Sequence, residues 1–225
     1  MKTSILLLTI VALFFSACGK KDSPTNNPPA VADSFININA GSTWTYHEDD
    51  SSTATPKSAD YTITSTSRDS TIGTTSYHVY SYSYGGSQYL NISGNDYYQF
   101  VSVPGSNGTT VERKYLVDNI KAGASWSETF TITVSNIPVP VTLTNTIVEK
   151  GISRTVNSVN YTNVVHVSTS LSSSAIPATA LTSSIDSYYA PNYSLIENST
   201  LVALNYMGFT ENANIKTKLT SAALK

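Results

Sequence analysis

From residue 35 onward, the chain alternates between apolar and polar residues with a period of two. Between residues 126 and 134, large and mostly apolar side chains occupy every second position, and serine or threonine fills the positions between them. Residues 141–147 show the same alternation. A period of two that is kept over seven to nine residues is typical of a half-buried β-strand.

The alternation predicts a chain built almost entirely of strands. Further strands are predicted at 43–48, 59–67, 74–84, 88–93, 96–103, 110–117, 159–170, 185–190, 193–198 and 200–207. Turn residues such as Gly85-Gly86 and Gly94-Asn95 separate many of these strands and favour antiparallel hairpins. Pro177 favours one short helical turn within 175–184, and a last strand is favoured over a frayed helix at 211–225. The predicted fold class is all-β, an antiparallel curved sheet, half-barrel or barrel with little helix.

The two halves of the chain share a weak sequence repeat. Residues 41–44 (Gly-Ser-Thr-Trp) align with residues 123–126 (Gly-Ala-Ser-Trp), and these two segments contain both tryptophans, Trp44 and Trp126. Tyr77 aligns with Tyr161, and each precedes a valine and a histidine. The alternative is coincidence in a chain that has 34 serines, 30 threonines and 15 tyrosines.

A third match extends the repeat towards the end of each half. Tyr97-Tyr98 resembles Tyr188-Tyr189. The sequence therefore predicts pseudo-repeats at about 41–104 and 123–207, with about six strands each, that share one core. Both belong to a single β-rich domain at 35–225, which is long enough to be stable without a disulfide.

The first residues of the chain have the features of a lipoprotein signal peptide at 1–17. The uncharged stretch 5–15 is too short to span a membrane and has the length of a signal-peptide core. It ends in Phe15-Ser16-Ala17-Cys18, which resembles a bacterial lipobox. Cys18 is the only cysteine of the chain and stands where that motif places the lipidated residue. The alternative is an ordinary secretory signal with a chance cysteine.

Residues 18–34 are predicted to be a flexible tether between the lipid and the β-rich domain. They contain three prolines and few apolar residues, so they cannot bury enough surface to fold. Extended at about 3.1 Å per residue, they would reach at most roughly 50 Å. The lipidation pathway that the lipobox resembles attaches acyl chains such as palmitate at Cys18, so the membrane is the expected partner.

Charge and motif content exclude several classes of function. Only 12% of residues are charged and the net charge is −2, so the chain lacks the basic excess of a nucleic-acid-binding protein. It contains no GxSxG, HExxH or GxxxxGK[ST] motif. The three histidines, His47, His78 and His166, are far apart in sequence. We therefore expect no cofactor, no metal site and no catalytic residue, and a non-enzymatic role is favoured. A hydrolase would require converging carboxylates, for which Glu128 and Glu149 are candidates.

Alternating aromatic residues form the most informative candidate surface. Tyrosine offers a flat apolar ring with a polar tip, which can stack on a sugar or line a cavity for an amphiphile. The alternative is that cross-strand tyrosine pairs simply stabilise the sheet. The predicted ligand-binding residues are His78, Tyr80, Tyr82, Tyr84, Tyr97 and Tyr98.

Five segments together resemble a group of β-rich cell-envelope lipoproteins of Bacteroidota: the lipobox, the two Gly-x-x-Trp segments, residues 148–167 and residues 186–197. The chain departs from that group at 191–195, which reads Pro-Asn-Tyr-Ser-Leu. Asp69-Ser70-Thr71 resembles the short acceptor motif for protein O-glycosylation in Bacteroidota. This resemblance predicts modification at Ser70. The resemblance implies location and fold but carries over no catalytic residue.

These observations lead to one hypothesis with one alternative. The protein is expected to be lipid-anchored in the cell envelope, at the outer membrane, and to bind a glycan or a small hydrophobic ligand. The alternative is a structural or adhesion-type surface lipoprotein without such a ligand. The side of the membrane that the protein faces and any protein partner stay open.

Overall fold

The computed structural model describes residues 34–102, 110–134 and 137–225. Within them it has twelve strands, which are in chain order β1 Thr43–Asp50, β2 Lys57–Ile72, β3 Thr75–Tyr82, β4 Ser87–Ser93, β5 Asp96–Ser102, β6 Thr110–Val117, β7 Ser125–Val134, β8 Ile137–Val156, β9 Val159–Ser172, β10 Leu181–Ala190, β11 Ser194–Tyr206 and β12 Phe209–Ala223. One 3₁₀ turn, Ala178–Ala180, follows Pro177.

All twelve strands belong to one antiparallel sheet with the order β6-β5-β4-β3-β2-β1-β12-β11-β10-β9-β8-β7. The all-β antiparallel prediction is confirmed, as are the helical turn after Pro177 and the last strand. Strands that are neighbours in sequence pair with each other, except β6 and β7, and the ladder between β1 and β12 joins the first half (β1–β6) to the second half (β7–β12). This meander explains why hairpin-forming turns separate the alternating segments.

The sheet curls until its two edge strands, β6 and β7, meet through side chains. The carboxylate of Glu128 on β7 accepts the backbone N–H of Lys114 on β6, at 3.0 and 2.9 Å from its two oxygens. The indole Nε1–H of Trp126 donates to the Lys114 carbonyl at 2.9 Å. Two side chains of β7 thus bond both backbone groups of Lys114, as a paired strand would. We call this contact the seam of the barrel.

The turns that precede β1 and β7 have the same geometry. Gly41 and Gly123 both have positive φ, +86° and +84°. The Gly41 N–H donates to the Ser65 carbonyl at 2.8 Å, and the Gly123 N–H donates to the Ile147 carbonyl at 2.7 Å. Ser65 and Ile147 each return a bond, of 2.9 and 3.0 Å, to the carbonyl of the residue after the glycine. Every equivalent atom pair is separated by 82 positions, which is the offset of the tryptophan match.

The other two sequence matches have different outcomes. Tyr77 lies opposite Ser70 in the β2–β3 hairpin, and Tyr161 lies opposite Arg154 in the β8–β9 hairpin, so both pairs keep an offset of 84. The match of Tyr97-Tyr98 with residues 188–189 is wrong. The first pair begins β5, whereas the second ends β10, which occupies the position of β4 in the other half.

One end of the barrel is closed by the segment that leads into β1. Phe35 and Ile36 are buried in the core. The Phe35 N–H donates to the hydroxyl of Tyr97 at 3.4 Å, and the Tyr80 hydroxyl donates to the Asn37 carbonyl at 2.8 Å. Lys225 also lies here, since its N–H bonds Ser42 at 2.9 Å. We call this end, where the described chain begins and finishes, the closed end.

The second half extends further than the first at the opposite, open end. Asp50, the last residue of β1, pairs with Ile215, so residues 209–214 of β12 project beyond β1. Residues 201–206 of β11 pair with residues 209–214, so this hairpin rises beyond the last residue of β1. The barrel is therefore taller on the side formed by the second half.

Within the described ranges, no helix has the length and apolar character needed to cross a membrane.

Candidate functional site

The interior of the barrel contains two adjoining cavities. Their volumes are about 170 Å³ and about 340 Å³, and Arg113, Tyr115, Tyr189 and Leu195 line both of them. A cavity of about 150 Å³ is large enough for a benzene molecule, so each of these spaces exceeds what one missing side chain would leave. The barrel is thus partly hollow above its packed closed end.

The first cavity has a largely aromatic wall. It is lined by Trp44 and Tyr46 from β1, Tyr61 from β2, and Tyr80 and Tyr82 from β3. These residues share a face because they alternate along neighbouring strands whose register sets Tyr46 opposite Tyr61. The Tyr46 and Tyr61 rings stack, with centroids 5.4 Å apart and planes 23° apart.

The phenol groups of this wall are neutral. The Tyr46 hydroxyl donates to the Leu195 carbonyl at 2.8 Å. Burial raises the pKa of Tyr46 and Tyr80 well above the usual range of phenols, and raises the pKa of Tyr82 to about 12. The first cavity therefore presents ring faces and protonated hydroxyls at physiological pH.

The second cavity has a polar wall formed by the other half of the sheet. The Thr169 hydroxyl donates to Asn145 Oδ1 at 2.7 Å. Asn198 donates from Nδ2 to the Ser187 hydroxyl at 2.9 Å, and its Oδ1 accepts the hydroxyl of Thr200 at 2.9 Å. These bonds fix the two amide groups, and the Nδ2 of Asn145 is left buried without a hydrogen-bond partner in the described part of the chain.

Arg113 on β6 stands at the boundary of the two cavities. Its Nε is buried and has no hydrogen-bond partner within the described ranges. The ion pairs formed among the described residues do not include Arg113. Its positive charge depresses the pKa of Glu128, although burial raises that pKa by more. The carboxylate of Glu128 is itself held by the backbone of Lys114 at the seam.

A half-buried apolar rim continues the wall of the second cavity towards the open end. Next to Asn145 in the direction of the open end, Leu143 and then Val141 lie on the same face of β8. Leu171 lies next to Thr169 in the same direction on β9. The rim consists of Phe130, Val141, Leu143, Leu171 and Val202. It lies on the tall side of the barrel, so an apolar surface leads directly into a polar cavity.

The structure separates the predicted aromatic residues into different environments. Tyr80 and Tyr82 line the first cavity. His78 lies on the same face of β3, with its ring 5.0 Å from that of Tyr80. Its two ring nitrogens are within hydrogen-bond distance of Ser65 and Asp69, both at 2.9 Å, so it lies beside the cavity wall rather than in it.

The remaining three members of the predicted set do not form one surface. Tyr84 is 71% exposed and stacks on Tyr82, with ring centroids 4.9 Å apart. Tyr97 is buried in the core and donates to Asp118 at 3.0 Å. Tyr98, on the opposite face of β5, bonds Asp96 at 3.2 Å and lies beside Lys114. Their role as ligand contacts stays a prediction.

Sequence reasoning did not single out Arg113 or Asn145. Arg113 lies within Glu112-Arg113-Lys114, which has the appearance of a solvated charged run. Asn145 carried a usable signal, because it is a polar residue on the otherwise apolar face of 141–147. Because β6 and β8 are far apart in sequence, the sequence pattern gives no indication that both line one cavity.

The other titratable groups do not converge on this site. His47 lies 2.6 Å from Asp60, and His166 lies 2.9 Å from Asp186. In the part of the chain that the structure describes, no group of three or more histidine, cysteine, aspartate or glutamate side chains is placed to hold a metal ion. Glu128 faces the seam, whereas Glu149 is an exposed residue opposite His166.

Two groups of predictions have no test in the structure. The signal peptide 1–17, lipidation at Cys18 and nearly all of the tether 18–34 lie outside the described residues. Ser70 lies in β2 opposite Tyr77 and is partly buried. Its O-glycosylation stays a prediction.

Comparison with known proteins gives two structural similarities. No protein family and no curated protein match the sequence. One similar structure is a candidate lipoprotein from Parabacteroides distasonis ATCC 8503, with 12% identity and a TM-score of 0.48. Another is a candidate exported protein with a YmcC-like fold from Bacteroides fragilis NCTC 9343, with 9% identity and a TM-score of 0.48. Each alignment covers 85% of this chain and 99% of the other.

Proposed function

We propose that this chain is a lipid-anchored protein of the cell envelope whose barrel binds a small amphipathic molecule without transforming it. The observation that carries this proposal is the partly hollow interior, in which an aromatic cavity, a polar cavity and an apolar rim adjoin. Ligand sites in proteins are typically concave and mostly apolar, with a few polar groups that orient the ligand.

The arrangement of the aromatic rings favours an apolar ligand over a glycan. Sugar stacking requires an accessible ring face, but Tyr80 is only 2% exposed and Tyr46 only 3%. Both rings face the barrel interior, where they are suited to enclose an aliphatic or aromatic group. Removing such a group from water is worth roughly 25 cal/mol per Å² of apolar surface.

The proposed lipid anchor attaches to the barrel at the end opposite its opening. Ser34, the first described residue, lies at the closed end, where it accepts the backbone N–H of Asn192 at 2.7 Å. A tether from a lipidated Cys18 therefore joins the barrel at that end, and the open end is free to face away from the membrane. Metabolic labelling with a palmitate analogue would detect the lipid, and the Cys18→Ser variant should lose the label. An unlabelled native chain contradicts the anchor.

A structural or adhesion-type role is the second candidate, and one observation favours it. The hydroxyls of Tyr46, Tyr80 and Tyr97 are all bonded within the protein. Tyrosines satisfied in this way stabilise the sheet whether or not a ligand binds.

Native mass spectrometry of protein purified from its own host distinguishes the two candidates. We expect a non-covalent mass increment that disappears on denaturation. Ile185 lines the second cavity, so Ile185→Trp should fill the space and remove the increment. Ser184→Trp adds the same side chain at the neighbouring exposed position and should retain it. Protein that carries no increment at all, and takes up no apolar probe, would support the structural role.

A further inference from the structure

The donors left without partners around the two cavities share one chemical property. The guanidinium Nε of Arg113, the amide Nδ2 of Asn145 and the indole Nε1 of Trp44 are all buried N–H groups without an acceptor among the residues that the structure describes. Arg113 lines both cavities, Asn145 the second and Trp44 the first. A buried donor without an acceptor is costly, and few occur in a native protein. Several around one space indicate that a ligand supplies the acceptors.

The position of Arg113 adds a charge to this set. Arginine stays protonated in proteins, and its guanidinium matches the geometry of carboxylates and phosphates. The other polar groups that line the second cavity are amides and hydroxyls, such as Asn198 and Thr200, and its lining residues include no carboxylate. Tyr115 lies in the same wall, and burial raises the pKa of its phenol, so it also remains a donor.

The geometry points to an acidic head group, a carboxylate or a phosphate, bound in the second cavity by Arg113 and Asn145. The inference deepens the proposed function and rests on it, because it names the class of the amphipathic ligand. The apolar part of the ligand then extends from the cavity along the rim formed by Leu143, Leu171 and Val202. An anionic amphiphile satisfies the donors and covers the half-exposed apolar rim at once.

Binding of three probes with the same chain and different head groups tests this inference. Dodecanoate, dodecyl phosphate and dodecanol are titrated into the purified full chain by calorimetry, below their aggregation concentrations, with inorganic phosphate as a head group without a chain. Hydrogen bonds to charged groups correspond to about a 10- to 100-fold difference in affinity. We expect at least one anionic probe to bind tighter than dodecanol by that factor, and the preferred probe shows whether the head is a carboxylate or a phosphate.

The variant Arg113→Gln should bind the anionic probes no better than dodecanol. Arg68→Gln removes the same charge at an exposed position and should retain the preference. Because the buried Nε of Arg113 has no hydrogen-bond partner among the described residues, Arg113→Gln should melt at or above the temperature of the wild type. A strongly lowered melting temperature would mean that the arginine is paired internally, and would overturn the inference.

The outcomes for the wild-type chain separate this inference from the proposed function. Equal affinity for all three chain-bearing probes overturns the acidic head group but leaves an apolar ligand site. Binding of inorganic phosphate alone supports an anion site and contradicts the amphipathic ligand. Binding of no probe overturns both.

Discussion

Glu128 shows how one side chain substitutes for a missing strand partner. Both its oxygens accept the backbone N–H of Lys114, and Trp126 bonds the carbonyl of the same residue. The sequence pattern placed Glu128 and Trp126 on an apolar face, where a carboxylate is unexpected. The structure explains it, because this face of β7 meets the unpaired backbone of β6 at the seam.

The protonation of Glu128 predicts an unusual pH dependence of stability. Burial raises its pKa, so the folded chain retains this proton to a higher pH than the unfolded chain does. The stability that this group contributes is therefore present below its unfolded pKa and is lost as the pH rises through the folded pKa. Relative to Glu128→Gln, the wild type should lose free energy of unfolding as the pH rises above about 4, the ordinary pKa of a glutamate.

Urea denaturation at several pH values measures this difference. Glu211→Gln, an exposed change on β12, is the matched control and should show no such trend. A wild type that gains stability relative to Glu128→Gln as the pH rises would contradict the prediction.

At the scale of single residues, the sequence predicted a binding surface only in part. Tyr80 and Tyr82 were identified because they alternate within one strand. Arg113 and Asn145 were not, because a cavity forms from residues brought together by closure of the sheet. Alternation shows which side chains share a face of one strand, but not which distant strand faces it.

The strands themselves were more predictable, because each depends on local alternation and on turns. The predicted and observed bounds differ most for β8. This strand extends to Val156, well beyond the predicted segment 141–147. Register shifts after Ile147, Lys150 and Ile152 interrupt its alternation, and Gly151 has a φ of +72°. Each bulge reverses which side chain faces the interior, so the periodic pattern is lost although the strand continues. Similarly, the segments predicted at 193–198 and 200–207 are one strand, β11.

The matched turns before β1 and β7 predict equal effects of equal mutations. A Cβ at Gly123 would meet no atom within 4 Å, and one at Gly41 would meet only Lys225 at 3.9 Å. Replacement by alanine therefore costs only backbone strain at positive φ, roughly 1–2 kcal/mol at either site. Thermal or urea denaturation of Gly41→Ala and Gly123→Ala should give similar losses.

Asparagine tolerates positive φ better than alanine, so Gly41→Asn and Gly123→Asn should recover part of the loss. Losses that differ by several kcal/mol between the two alanine variants would show that the turns are not equivalent.

For the whole molecule, β12 connects the two halves. Among the described strands, its ladder with β1 is the backbone-to-backbone junction between β1–β6 and β7–β12, whereas the seam joins them through side chains. Deleting residues 209–225 should open the barrel and expose Trp44, which is only 4% accessible and lies opposite Ala222. We expect a red shift of tryptophan emission and a larger hydrodynamic radius.

Deleting only residues 224–225 is the control and should leave the emission close to that of the wild type, because both residues follow the end of β12. An unshifted spectrum after the longer deletion would mean that the two halves stay together without this ladder.

The pairing of the first strand with the last also determines when folding can finish. A chain that is synthesised from the N-terminus presents β1 long before β12, so one edge of the sheet must wait for more than 150 residues of later sequence. During that interval the edge of β1 is open to strands of other molecules, which is the usual route to domain swapping and aggregation. Ring closure should therefore be the late, slow step of folding, and it is the step at which a chaperone would be most useful.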